Sequence, residues 1–205
     1  SSFGMLMIWT DILMLGYFQG EESVGKYNVA FGVATGVSIV LVSINAIATP
    51  KFAELYTQKN FEGLERFVKQ STKLIFWLTL PVILIIVFAA TPILSLFGSE
   101  FMTTKTALLM LIFGQFISAI SGAVGYLLQM TDNQSIHKNI LISATIINMI
   151  LNLILIPLYG LNGAAFASML SMIFWNLAMI LAIKNKLNFW TMYVPFISQR
   201  SVNVN

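Results

Sequence analysis

The chain has 205 residues, of which 58% are hydrophobic and only 9% charged, with a formal net charge of +3 and no cysteine. Soluble domains carry about a quarter charged residues, so this composition excludes an ordinary soluble domain and predicts an all-α polytopic membrane protein. Because cysteine is absent, disulfides and thiolate metal sites are excluded as well.

Six apolar stretches follow one another along the chain. Each is close to or longer than the roughly 20 residues that cross a hydrocarbon core of about 30 Å. We therefore predict that residues 1–183 form one bundle of six transmembrane helices, at residues 1–19, 27–49, 74–97, 105–130, 139–158 and 161–183.

The first stretch contains Asp11. Apart from Lys105 at the edge of the fourth stretch, Asp11 is the only Asp, Glu, Lys, Arg or His within the six. A carboxylate at the centre of a membrane helix costs about 2.5–3.5 kcal/mol on insertion scales, so a cavity, an ion or a partner charge usually accompanies it. Asp11 is therefore the first functional candidate.

The first stretch also begins at Ser1 without an initiator methionine or a basic n-region. These features do not fit a signal peptide. We expect the chain to be the C-terminal part of a longer protein whose N-terminal bundle is missing here.

Residues 50–73 are the one substantial polar segment, and we expect them to form two short amphipathic helices at the cytoplasmic interface. Pro50 suits the first turn of one helix, and the side chain of Asn60 can cap the other. The basic face of the segment is expected to contact the headgroups of membrane lipids. A passive surface element is favoured over a gate or a regulatory element.

Side-chain amides occur in most of the predicted spans. In lipid such groups must be paired or must face a wet cavity, and they suit the hydroxyls of a sugar because they offer both donors and acceptors. Any one of them also fits a role in helix packing. As a set they are candidate cavity residues: Asn45, Gln115, Gln129, Asn148, Asn152 and Asn176.

Two further segments are expected at the cytoplasmic surface. His137, the only histidine, is predicted to be a solvated residue in a short loop beside Lys138. Residues 184–205 carry an aromatic patch around Trp190 and no further long apolar stretch, so we predict a cytoplasmic tail.

Basic residues are distributed unevenly between the two sides of the predicted bundle, and cytoplasmic loops collect lysine and arginine. If Ser1 lies inside, only Lys26 and Lys105 lie outside, and both ends of the chain are cytoplasmic. The inside residues are then Lys51, Lys59, Arg66, Lys69, Lys73, Lys138, Lys184, Lys186 and Arg200. This bias accounts for the charge of +3, so nucleic-acid binding is not predicted.

Enzymatic chemistry has no recognisable basis in the sequence. Paired carboxylates, a His/Asp/Glu metal cluster, a glycine-rich phosphate loop and a Ser–His pair are all missing. We therefore predict a protein that is not an enzyme, with no catalytic residue, metal or cofactor.

Five stretches of the sequence carry a recognisable set of motifs: residues 11–18 (DILMLGYF), 22–27 (ESVGKY), 48–56 (ATPKFAELY), 128–131 (LQMT) and 157–168 (PLYGLNGAAFAS). In their order and spacing, over about residues 10–183, they resemble the polysaccharide flippases of the O-antigen and teichoic-acid type. This family lies within the superfamily of multidrug, oligosaccharidyl-lipid and polysaccharide exporters. One departure is Asp132, where the family usually has glycine, so Asp132 and Asn133 are expected to form the turn instead.

The resemblance implies the C-terminal half of a flippase that moves undecaprenyl-pyrophosphate-linked oligosaccharide across the bacterial inner membrane for surface polysaccharide biosynthesis. Two six-helix bundles would alternate in access around a central cavity. The groups that hold the pyrophosphate are then expected in the missing bundle or at the cytoplasmic rim. Asp11 would either form an ion pair with that bundle or bind H⁺ or Na⁺ and so couple transport to a gradient.

Two other functions stay open on the sequence. One is a cation-coupled multidrug extruder of the same superfamily, and the other is a membrane scaffold subunit that transports nothing. The family-like stretches and the abundance of amides favour a sugar over a drug.

Overall fold

A computed structural model describes residues 2–193 and 195, with side chains from residue 6 onward. This part of the chain forms nine α-helices and one 3-10 turn, at Ser99–Thr104. The helices are α1 Ser2–Gln19, α2 Glu21–Gly36, α3 Ser38–Thr57, α4 Phe61–Phe88, α5 Ala90–Ser95, α6 Lys105–Ser121, α7 Val124–Met130, α8 Gln134–Tyr159 and α9 Leu161–Leu187.

Five segments of the described chain are long and apolar enough to cross a membrane. They are Ser38–Thr57, Phe61–Phe88, Ser99–Ser121, Gln134–Tyr159 and Leu161–Leu187. The predicted stretch 27–49 instead runs from α2 into α3, and α1, which carries Asp11, is not among the five. The all-helical class is therefore observed, whereas six spans remain a prediction. Ser1, the first residue of the first predicted span, lies outside the described residues.

Several helix junctions contain a residue with a positive φ, and three of them lie around α1, α8 and α9. Gly20 (φ 81°) separates α1 from α2, Asp132 (φ 58°) separates α7 from α8, and Gly160 (φ 56°) separates α8 from α9. At the second junction the Asn133 side-chain amide donates to the Thr131 carbonyl over 2.6 Å. Asp132 and Asn133 thus form the predicted turn, since Asp and Asn tolerate this conformation.

Residues 50–73 do not form two separate short helices. Pro50 lies inside α3, and residues 61–73 are the first part of α4. The reason is burial, because Phe52 on α3 and Leu64 on α4 join one hydrophobic core. The predicted cap is correct, since Asn60 Oδ1 accepts from the Gly63 N–H over 2.9 Å. The location of residues 50–73, where α3 ends and α4 begins, at the cytoplasmic interface remains a prediction.

The part of the predicted tail that the structure describes, residues 184–193 and 195, begins as the end of α9 and then packs against the bundle. α9 extends to Leu187, Phe189 and Thr191 are buried, and the Tyr193 N–H donates to the Ile120 carbonyl over 3.0 Å. That carbonyl is in the last turn of α6, where helix carbonyls lack partners within the helix. Residues 194 and 196–205 of the predicted tail lie outside the described residues.

The described helices pack around two hydrophobic cores. One core includes Leu15, Tyr27 and Leu108, and the other includes Phe52, Leu64 and Phe189. α9 packs against α8 and α6, and α1 packs against α8, α2 and α9. This arrangement places the middle of α1 inside the bundle.

Candidate functional site

Asp11 is buried within the bundle, with only 1% of its surface exposed. Side chains from three other helices donate hydrogen bonds to its carboxylate. The Tyr27 hydroxyl of α2 donates to Oδ2 over 2.8 Å, and Asn152 Nδ2 of α8 donates to Oδ1 over 2.5 Å. The Ser168 hydroxyl of α9 also donates to Oδ2. Four helices therefore meet at one carboxylate.

Two asparagines extend this cluster along α8. Asn152 Nδ2 donates to Asn148 Oδ1 over 3.2 Å as well as to Asp11, and both asparagines are fully buried. Asn148 Nδ2 and Asn152 Oδ1 have no hydrogen-bond partner among the described residues. A buried polar atom without a partner costs about 1–3 kcal/mol, so the cluster has spare capacity to bind a further polar group.

No basic side chain pairs with Asp11 in the described part of the chain, where each observed ion pair joins two residues of one helix. Neutral donors repay only part of the cost of burying a carboxylate. Uptake of a proton or a cation would remove that cost. The oxygens of Asp11, Tyr27, Ser168 and Asn152 are the ligand type that hard cations prefer.

Asp11 and Ser168 also line an open cavity of about 440 Å³. This volume lies within the roughly 300–1,000 Å³ typical of small-ligand sites. The other lining residues come from seven of the helices and the α6–α7 junction: Met7, Ile8, Phe31, Ser38, Leu41, Gln115, Ser118, Gly122, Val124, Gly125, Tyr126, His137, Leu141, Met172, Trp175, Asn176 and Met179.

A break between α6 and α7 forms part of the cavity wall. α6 ends at Ser121, Gly122 adopts φ 75°, and α7 begins at Val124. A Cβ atom on Gly122 would clash with the Thr72 hydroxyl, so the close approach of α4 also requires glycine here. Discontinuous helices of this kind surround the binding sites of many transporters. The predicted continuous span 105–130 missed this break.

His137 lies in the first turn of α8, half-buried, and it lines the cavity. The prediction of a solvated loop residue was therefore wrong. α8 begins at Gln134, before the predicted span at 139, and the absence of a side chain on Gly125 leaves room for the imidazole. A Cβ on Gly125 would lie 3.2 Å from His137 Nε2.

Two of the predicted cavity amides line the cavity. They are Gln115 on α6 and Asn176 on α9. The Asn176 amide donates to the Ser118 hydroxyl and to the Met172 carbonyl, both over 2.9 Å. Their roles in ligand binding remain predictions.

The other four predicted amides do not line the cavity. Asn148 and Asn152 contact each other and support Asp11, as described above. Gln129 on α7 donates to the Gly125 carbonyl over 3.1 Å. Asn45 on α3 is fully buried, and neither amide atom has a partner among the described residues.

Tyr27 and Ser168 were not among the predicted site residues. Tyr27 lies 16 positions from Asp11, and Ser168 lies 157 positions away. The available signal was weak, because a hydroxyl at the start of a predicted span and a serine in a run of small residues are both common. Only helix packing reveals their convergence on Asp11.

Comparison with known proteins decides the family. The model of the MatE family matches residues 2–154 of this chain. The chain belongs to the MatE family. This result supports the superfamily inferred from the sequence motifs, and it points to a multi-pass membrane transporter rather than an enzyme.

Two similar curated proteins are described as flippases. The probable low-salt glycan biosynthesis flippase Agl15 of Haloferax volcanii is 25% identical over 169 residues, covering 82% of this chain and 36% of that protein. The probable flippase AglR of the same organism is 24% identical over 181 residues, covering 86% of this chain and 37% of that protein. This chain thus spans about a third of their length.

A solved structure shows the same fold. It is the outward-facing conformation of a multidrug resistance MATE family transporter of the MOP superfamily. The TM-score is 0.76 at 20% identity, over 98% of this chain and 46% of that transporter chain.

Proposed function

We propose that this chain forms one bundle of a MatE-family transporter that moves a lipid-linked oligosaccharide across a membrane by alternating access. The observation that carries the proposal is the open cavity lined by amide, hydroxyl and imidazole groups, with a buried carboxylate in its wall. The two relatives support the substrate class, because both are named probable flippases and the name of Agl15 assigns it to glycan biosynthesis.

In its specific form, the proposal takes the substrate to be undecaprenyl-pyrophosphate-linked oligosaccharide. The membrane is then the bacterial inner membrane, both ends of this chain are cytoplasmic, and the product serves surface polysaccharide synthesis of the O-antigen or teichoic-acid type. The pyrophosphate is held by basic groups of an N-terminal bundle or of the cytoplasmic rim, since no lysine or arginine lines the cavity within the described residues.

The cavity chemistry suits the sugar part of such a substrate. Gln115 offers both donors and an acceptor, and Asn176, whose N–H groups bond Ser118 and Met172, offers its amide oxygen as an acceptor. Ser118 and His137 add further hydrogen-bonding groups. Sugar hydroxyls need this mixture because each can donate one hydrogen bond and accept others. A site for a simple cation or anion would instead concentrate one type of group.

We further propose that Asp11 couples transport to a gradient of H⁺ or Na⁺. The carboxylate is 1% exposed in the bundle described here, and its three donors all come from this same bundle. This geometry favours an internal ion site over an ion pair with a second bundle, which would require the carboxylate to face outward.

Multidrug extrusion is the second candidate function. It is favoured by the apolar part of the cavity wall, where Phe31, Met172, Trp175 and Met179 lie. Aromatic and methionine side chains adapt to varied apolar ligands. The solved structure of similar fold is described as a multidrug resistance transporter.

The test uses the full-length protein reconstituted in liposomes, with a fluorescent lipid-linked oligosaccharide and a fluorescent cationic drug as alternative substrates. Gln115→Leu should reduce oligosaccharide transfer by about tenfold, the effect of losing one well-placed hydrogen bond of about 1.4 kcal/mol. Phe113→Leu, an exposed position on the same helix, is the matched control and should transfer normally.

Each outcome distinguishes the functions. Oligosaccharide transfer that falls in Gln115→Leu supports the proposal. Drug transport without oligosaccharide transfer would establish the extruder instead. Transport of neither substrate would favour a scaffold and overturn both candidates.

A further inference from the structure

A second cavity, of about 380 Å³, lies where the α1–α2 and α8–α9 junctions meet the 3-10 turn. It shares no lining residue with the cavity beside Asp11. Gln19, which lines it, follows Asp11 by eight positions on α1, which corresponds to about 12 Å along the helix axis. The lining residues are Gln19, Ser23, Lys26, Thr103, Thr104, Pro157, Leu158, Tyr159, Gly160, Leu161 and Asn162.

The lining of this second cavity is rich in hydrogen-bonding side chains, including Gln19, Ser23, Thr103 and Asn162. Asn162 Oδ1 is inaccessible to solvent and has no hydrogen-bond partner among the described residues. Because this atom can only accept, a group that satisfies it must be a donor. A hydroxyl or an N–H group meets this requirement, whereas an ionised phosphate does not.

The electrostatics also disfavour an anion. Lys26 Nζ donates to Glu22 Oε1 over 2.6 Å, so the positive charge at the cavity is already balanced. The hydrogen bond from Lys26 and its positive charge hold the pKa of the exposed Glu22 carboxyl below its usual value. The pair is therefore ionised at neutral pH, and it leaves the cavity polar without a net charge.

We propose that the second cavity is a separate binding site for neutral, hydroxyl-rich groups, namely sugar residues. Gln19, Ser23 and Asn162 supply the donors and acceptors, and rotation of the Asn162 side chain toward the cavity lets its oxygen accept from a sugar hydroxyl. The site lies at the end of the bundle that the distribution of basic residues predicts to face outward. It rests on the proposed function for the source of the sugar, which would be the transported oligosaccharide on its way out.

The experiment is site-specific photo-crosslinking of the full-length protein in the organism that encodes it, with its lipid-linked oligosaccharides radiolabelled through growth on labelled sugar. Benzoylphenylalanine replaces Gln19 in the second cavity or, in a separate variant, Leu41 in the first. A third variant carries it at Tyr17, which is 85% exposed on the same helix as Gln19 but lines neither cavity. Light-dependent sugar label is expected at positions 19 and 41 and not at 17.

Asn162→Leu then tests the role of the unpartnered oxygen. It should lower the label at position 19 by about tenfold, as the loss of a single well-made hydrogen bond predicts. The label at position 41 should be unchanged, which shows that the variant is folded and still takes up substrate.

The failure of this inference differs from the failure of the proposed function. Label at position 41 but not at 19 would overturn the second site and leave oligosaccharide transport standing. Label at neither position would overturn both. Equal label at positions 17 and 19, or label at 19 that Asn162→Leu does not reduce, would also overturn the second site.

Discussion

Replacement of Asp11 by asparagine is the most direct test of ion coupling. The substitution preserves the size of the side chain and removes its charge. Asn152 can still donate to the remaining oxygen, and the hydroxyls of Tyr27 and Ser168 can rotate to accept from the new amide. The variant should therefore fold with its helices in place, in a state that resembles the ion-loaded site.

The magnitude follows from the hydrogen bonds. Asp11→Asn loses the charged character of three hydrogen bonds and also no longer buries a charge, so the net change in unfolding free energy should stay within about 1 kcal/mol. Asp11→Ala instead removes the acceptor that three buried donors share, although Asn152 keeps its hydrogen bond to Asn148 and the Tyr27 and Ser168 hydroxyls can still pair with each other. Each donor left unsatisfied costs about 1–3 kcal/mol, so this variant should destabilise the bundle more than Asp11→Asn does. Asparagine is the informative substitution for this reason.

The expected functional effect is the loss of gradient dependence. A tenfold gradient of the coupling ion corresponds to about 1.4 kcal/mol, which biases transfer tenfold when one ion moves per cycle. In Asp11→Asn the bias should fall to about one, because the site no longer changes charge. The initial rate without a gradient can remain measurable.

The assay measures leaflet transfer of a fluorescent lipid-linked oligosaccharide by the full-length protein in liposomes, with imposed gradients of H⁺ or Na⁺. Glu100→Gln is the matched control, since it is the same change from acid to amide at an exposed position. The coupling hypothesis fails if Asp11→Asn shows the same dependence on both gradients as the unmodified protein.

Three further predictions concern packing and the cavity wall. Gly163→Ala drives a Cβ into the Leu155 backbone carbonyl of α8 and should lower the unfolding free energy of the full-length protein by about 2 kcal/mol or more. Gly25→Ala, a control with open space around the new Cβ, should not destabilise the protein. Thermal unfolding in detergent measures both variants. Asn60→Ala removes the cap of α4 and should lower the unfolding free energy by about 1 kcal/mol in the same measurement. Asn60→Asp keeps a capping oxygen and is the control, so equal stability of the two variants would contradict the capping role. Gly125→Ala should crowd His137 and slow oligosaccharide transfer, while its melting temperature stays within about 2 °C of that of the unmodified protein. Unchanged transfer would refute this expectation.

Asp11 could be singled out as a candidate residue from the sequence alone, because a carboxylate in an apolar helix is costly wherever that helix packs. The Asn60 cap and the turn at Asp132 were predictable as well, since both depend on local hydrogen bonding and backbone conformation. These features are determined over a few neighbouring residues.

Features that depend on distant contacts were not predictable in the same way. Residues 50–73 looked like surface helices because of their charges, yet Phe52 and Leu64 join one core and the segments continue α3 and α4. His137 looked solvated because its neighbours are polar, yet it faces the cavity opposite Gly125.

Composition, apolar length and motif order by themselves determined that this chain is an all-helical membrane protein of the exporter superfamily with one costly buried carboxylate. Only the tertiary structure decided the surroundings of that carboxylate. Tyr27, Asn152 and Ser168 come from three other helices and meet Asp11 through packing, and no local pattern encodes such a meeting. The separation of two cavities along one bundle arises for the same reason, because each is formed by residues distant in sequence.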